Sequence, residues 1–110
     1  MIAKNYRNKK LLRMAKDAPY CFCCGRSNDG SIVAAHSNQI RDQKGKGIKA
    51  HDFRVAFVCN TNGAGCHYEI DQGNKSREEK KELWEEAHRA TIGWLFTTGR
   101  LEVKEPSIYE

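Results

Sequence analysis

Long apolar runs are missing from this chain. Nothing approaches the roughly 18 consecutive apolar residues of a membrane span. The N-terminus also lacks an apolar signal core, so the expectation is a cytoplasmic protein without a membrane partner. Apolar residues make up 39% of the 110 positions and charged residues 30%, which is thin for the first class and rich for the second. Such a chain forms a single domain, residues 1–110, with a modest core that a metal staple would help to hold. Acidic residues are in the minority: 19 Lys and Arg against 14 Asp and Glu leave a net charge of +5. That balance favours an anionic partner, nucleic acid first, though it also serves solubility alone. Two signatures are absent as well. Without the GxxxxGK[ST] order there is no Walker loop, and without H-x-E plus P-C-x-x-C there is no zinc deaminase.

Cysteine, in contrast, is plentiful. Five of them in a reducing compartment argue for metal ligation rather than disulfides. Cys21 and Cys24 have the CxxC spacing that lets two thiolates grip one ion from a tight turn, with Gly25 easing the backbone. Cys59 and Cys66 supply a second pair, whose longer spacing the Asn-Gly-Ala-Gly loop must absorb. Four thiolates in two pairs make an all-cysteine structural zinc site, which contributes directly to folding. Buried free thiols are the alternative. Cys23 is the spare, and a Cys21/Cys23 grip is the other arrangement the spacing allows.

Along the chain, residues 1–17 are basic and fit a short helix that stops before Pro19. That helix serves either phosphates or solvent. Residues 31–36 read as an apolar strand ending in His36, at a place where loops open onto a site. Residues 37–52 form a loop in which glycines alternate with lysines, permitting close backbone approach to a phosphate. A flexible surface loop would look the same. Phe53–Val58 is a second strand feeding into Cys59. A helix starting near Cys66 places His67 and Asp71 at i and i+4, one above the other on one face. Ser76 and Glu79 form an S-x-x-E capping box opening a helix from Arg77 to about Phe96–Thr98. Leu83, Trp84, Ala87, Ala90, Thr91, Trp94 and Leu95 give that helix a core-facing stripe. His88 reads as solvated or capping, and Leu101–Val103 as a short edge strand after Gly99.

Taken together, Ala34-Ala35-His36, a second strand leading to Cys59, and Cys66-His67-x-x-x-Asp71 resemble the HNH, or ββα-metal, endonuclease family. The likeness spans roughly residues 12–73 and is similar to short prophage-encoded members with a Gly-x-Gly-x-Lys-x-x-Asp segment, here Gly45, Gly47, Lys49 and Asp52. It implies an α+β fold: a zinc-stapled ββα-metal core (about 20–73), an N-terminal basic helix and a long C-terminal helix (about 77–98).

The resemblance also implies roles. His36 would be the general base, and His67 with Asp71 would hold one divalent cation such as Mg or Mn. Two positions depart from the family pattern. Ala35 stands where a further ligand is often found, and the middle asparagine that orients the base is missing. Asp52 is the nearest candidate for that second role, with His51 beside it. Arg41, Lys44, Lys46 and Lys49 would contact DNA phosphates. Two other readings share these residues. One is a non-catalytic zinc-stabilised nucleic-acid-binding module assisting phage recombination, which needs the cysteines but not His36. The other is an interaction scaffold.

Overall fold

Five successive buried residues dictate the centre of the molecule. Val55–Cys59 form a strand, β2, in which every side chain is buried. It pairs antiparallel with Ile32–His36, β1, in a register that sets Ile32 opposite Cys59 and His36 opposite Val55. The computed structural model describes residues 5–39, 42, 44–45, 48–61 and 64–104. Among these, the remaining elements are α1 (Lys9–Arg13), a 3₁₀ turn (Met14–Asp17), α2 (Gly65–Asp71) and α3 (Arg77–Thr97). The architecture is therefore α+β, with one two-stranded sheet and three α-helices.

A lone hairpin is marginal in water, so its outer faces and edge must be covered. The stripe on α3 does this: Trp84, Ala87, Thr91 and Leu95 are buried, whereas Ala90 is exposed. The edge of β2 not paired with β1 would otherwise leave buried backbone groups without partners. It is closed by four hydrogen bonds. The Phe57 amide donates to Thr91 Oγ1 (2.9 Å), and the Phe57 carbonyl accepts from the Phe22 amide (3.1 Å). The Cys59 amide donates to Cys21 Sγ (3.3 Å). The Val55 carbonyl accepts from His88 Nδ1 at 2.7 Å, which places the imidazole proton on that nitrogen, since a carbonyl only accepts.

His88 is thus neither solvated nor a cap. It is half-buried, stacked on Trp84 with ring centroids 4.9 Å apart, and burial pushes its pKa below the ordinary value. Trp94 packs edge-on to Phe57 at 6.2 Å, as a core role requires.

Several boundaries differ from the sequence reading for local reasons. The N-terminal helix splits into α1 and the 3₁₀ turn, then stops at Ala18, which is extended (ψ 136°) ahead of Pro19. β2 starts two residues late because Arg54 N–H turns back to the His51 carbonyl (3.0 Å), leaving Phe53 exposed. Leu101–Val103 form no strand. The amides of Arg100 and Leu101 are spent on the Leu95 carbonyl at the end of α3, at 2.9 and 3.1 Å, so the chain folds back instead of laddering. The Ser76–Glu79 capping box is present in both directions. Among the described residues, no helix is long and apolar enough to cross a membrane.

Thr91 is the sharpest test of this packing. Replacing it by valine keeps the shape but strands the Phe57 amide, which should cost about 1–3 kcal/mol. The urea midpoint is expected to fall with an unchanged slope. An unshifted midpoint would show that the edge contact contributes nothing.

Candidate functional site

The hairpin register puts different chemistry at its two ends. At the Ile32–Cys59 end, residues 20–27 form a tight knuckle: Tyr20 bridges Ser27, the Cys21 amide donates to the Arg26 carbonyl (2.8 Å), and the Gly25 amide to the Cys21 carbonyl (2.9 Å). Gly25 takes φ +80°, a conformation costly for any residue with a Cβ. On the other side, Thr61 and Ala64 close a short turn. Gly65 enters α2 at φ +87°, and a Cβ there would stand 3.1 Å from the Cys59 carbonyl oxygen. That close approach lets Cys66, in the first turn of α2, come back beside Cys59.

The outcome is a cluster: the sulfurs of Cys21, Cys24, Cys59 and Cys66 all lie within 4.8 Å of one another. Cys24 Sγ and Cys59 Sγ are 3.9 Å apart. Four sulfurs about 2.3 Å from a tetrahedral ion would be spaced about 3.8 Å apart, so the cluster could hold an ion with its sulfurs drawn in by about an ångström or less.

The backbone is arranged for negative sulfur. Cys21 Sγ accepts three amides, from Cys23 (3.3 Å), Cys24 (3.4 Å) and Cys59 (3.3 Å), and Cys59 Sγ accepts the Cys66 amide (3.4 Å). Burial raises the Cys21 pKa, but these bonds outweigh it and bring the thiol down to about 7. Burial and then the neighbouring sulfurs push Cys59 and Cys66 the other way. Without a cation, four thiolates could not share this space, and a cation reverses that preference. Cys23 lies outside the group, half-buried, with its thiol against Cys66. The Cys21/Cys23 grip is therefore not the arrangement formed.

The opposite end of the hairpin holds the polar candidates. His36 Nε2 meets Asp52 Oδ1 at 2.8 Å. Asp52 is 2% exposed and also accepts from the Asn8 amide (2.6 Å) and Arg7 Nη1 (3.1 Å). Burial would raise its pKa, but the bonds from His36 and Asn8 and the charges beside it hold the carboxyl below its ordinary value. His51 faces elsewhere: its Nδ1 accepts the Tyr6 amide at 2.9 Å, and its ring stacks on Phe53. Of the two candidates for orienting His36, the contact is made by Asp52.

Arg7 belongs to the basic leader, for which phosphate and solvent are the two expected faces. It instead clips the chain together, reaching the Ala50 carbonyl (2.6 Å), the Lys49 carbonyl (2.7 Å) and Asp52. Nothing in the local sequence announces this, because the partners lie more than 40 positions away.

On α2, His67 Nε2 and Asp71 Oδ2 are 3.4 Å apart, as the i, i+4 spacing requires. Asn38 Nδ2, two residues beyond His36, donates to Asp71 Oδ1 at 2.8 Å. That amide ties the end of β1 to the end of α2, and sequence pattern gave no sign of it. His36, His67 and Asp71 do not form one tight donor set. Among the described residues, the four cysteines are the one group of three or more ligating side chains within 4.8 Å. Lys44 Nζ bonds the Gly45 carbonyl (3.1 Å), and Lys49 is exposed. Arg41 and Lys46 lie outside the described residues. No protein-family model, curated protein or solved structure matches the chain.

Two outcomes follow. The purified chain should carry one metal ion, lost in Cys24→Ser and kept in Cys23→Ser, as counted by elemental analysis. A full complement in Cys24→Ser would sink the four-sulfur assignment. The second concerns acid. Because the Asp52 pKa is lowered from 3.8, its stabilisation is complete above that value and disappears as pH falls through the folded-state value. Urea midpoints of the parent and Asp52→Asn should differ near neutrality and converge below about pH 4. A constant gap would show that the carboxylate charge is irrelevant.

Proposed function

We propose that this chain is a metal-dependent endonuclease of the HNH, ββα-metal kind, hydrolysing phosphodiester bonds in DNA, with structural zinc in the four-cysteine site. The single observation that carries the reading is the Asn38–Asp71 hydrogen bond of 2.8 Å. It brings the strand end bearing His36 to the helix end bearing Asp71, as a strand-end base and a helix-borne ligand pair require. Zinc suits the sulfur site because thiolates in two pairs, with amides donated to sulfur, favour a tetrahedral borderline-soft ion.

In this reading each side chain has one task. An ionised Asp52 can only accept, so it fixes the proton of His36 on Nε2 and leaves Nδ1 as the basic nitrogen. Nδ1 takes a proton from water as its oxygen attacks phosphorus. Arg7 and the Asn8 amide hold Asp52 still while it does so. His67 and Asp71 would hold a divalent cation such as Mg or Mn, whose chemistry when bound is to polarise the phosphate and stabilise charge on the leaving oxygen.

One observation favours a second reading, the non-catalytic nucleic-acid-binding module: the His36, His67 and Asp71 donors do not gather as the cysteines do. Plasmid nicking with Mg or Mn separates the two. His36→Ala should lower the rate by about a hundredfold or more while binding is kept. Plasmid that is bound but never nicked by the parent points to the binding module. Neither binding nor nicking leaves only an interaction scaffold.

A further inference from the structure

A cleft of about 560 Å³ opens between the residues after β1, the last turn of α2 and the first half of α3. Asn38 and Asp71 line it from one side, and Arg77, Lys80 and Lys81 line it from α3. Positions 77, 80 and 81 are spaced i, i+3 and i+4, so the three cations share one helix face. They differ from four of the six other described arginines, Arg13 and Arg100 being the two that likewise hold no carboxylate. Arg7, Arg26, Arg54 and Arg89 each lie 3.1 Å or less from a carboxylate. Among the described residues, Arg77, Lys80 and Lys81 make no side-chain hydrogen bond or ion pair. Two carboxylates, Asp71 and Glu78, share the cleft with these three cations, and Lys81 also lines a neighbouring cleft with Glu78, Glu82, Glu85 and Glu86.

We infer that this cleft seats a phosphodiester backbone, with Arg77, Lys80 and Lys81 making the phosphate contacts. The choice of DNA as the anion rests on the nuclease reading; the cationic face does not. The site contacts backbone rather than reading bases, because its other groups are committed. Trp84 is 3% exposed, its indole N–H donates to the Ala35 carbonyl (2.9 Å), and its ring is covered by Arg54 and His88. Trp84, the aromatic among the cleft's lining residues, therefore has no free face for stacking a base. The Asn38 amide donates to Asp71, and the Gln39 amide to Glu85 (2.6 Å). What remains is positive charge beside the His67–Asp71 pair, which is sequence-independent and sensitive to salt. The glycine–lysine loop was the expected source of such contacts; α3 supplies a second one.

The test is binding, not cutting. Arg77, Lys80 and Lys81 are changed together to glutamine, which keeps helix propensity. Anisotropy of a short fluorescein-labelled DNA duplex is followed across a sodium chloride series without Mg or Mn. Circular dichroism and metal content confirm that the variant is folded. The triple variant should bind at least about tenfold more weakly, with the slope of log affinity against log salt reduced by about 2 to 3, at roughly 0.9 per phosphate. The parent should bind a duplex of unrelated sequence equally well. An unchanged slope, or a parent that does not bind duplex, overturns the inference. A reduced slope in a chain that never nicks plasmid keeps the cleft and discards the nuclease.

Discussion

A buried strand with a neighbour on only one side has an edge that must find hydrogen-bond partners elsewhere, and β2 meets that demand with groups from two distant segments. Thr91 and His88 reach it from α3, and Phe22 and Cys21 from the knuckle. Every later feature depends on this closure. It fixes α3 over the core, and it pulls the knuckle against the end of β2. The Cys21 sulfur that accepts the Cys59 amide is one of the four in the cluster. The same atom therefore completes the sheet edge and belongs to a group of sulfurs that could hold a metal ion, so an ion bound there would be coupled to the ordering of the strand.

The register then separates two chemistries. With Ile32 opposite Cys59 and His36 opposite Val55, soft sulfur collects at one end of the hairpin and imidazole and carboxylate at the other. α2 runs between them, starting at the cysteine cluster with Cys66 and ending at Asp71, where Asn38 is bound. A one-residue slip of β1 would turn His36 away from Asp52. The Asn60 amide, donated to the Ser31 carbonyl at 2.8 Å, holds that register at one end, and the His36–Asp52 contact holds it at the other.

The parts legible in the sequence were those governed by short spacing. CxxC, the i, i+4 pair of His67 and Asp71, the capping box and the α3 stripe are all local relations, and each has a direct geometric counterpart. The β1 and β2 strands were visible as apolar runs, with ends blurred by turns such as the one from His51 to Arg54. What stayed hidden were pairings across long separations. The Asp52–Arg7, Asp71–Asn38 and Val55–His88 contacts join residues 33 to 45 positions apart. A polar residue's partner cannot be read from its own neighbourhood, so Arg7 and His88 looked like surface residues.

Net charge illustrates the same limit in another way. The excess of five positive charges does not say where on the surface positive charge is left unpaired. Structure divides the cations by what they already hold. Arg7 and Arg54 are consumed internally, one fixing Asp52 and the other bridging Asp42 and Glu85 while lying over Trp84 at 4.6 Å. Desolvating either without its carboxylate would be costly, so neither is free to serve a ligand. Arg26 and Arg89 are exposed and paired at i, i+3, a weak arrangement that a stronger anion could displace. A cation with no carboxylate of its own has no internal bond to give up on binding. An anion therefore selects its surface by the distribution of unspent positive charge, and that distribution is a property of the fold rather than of the composition.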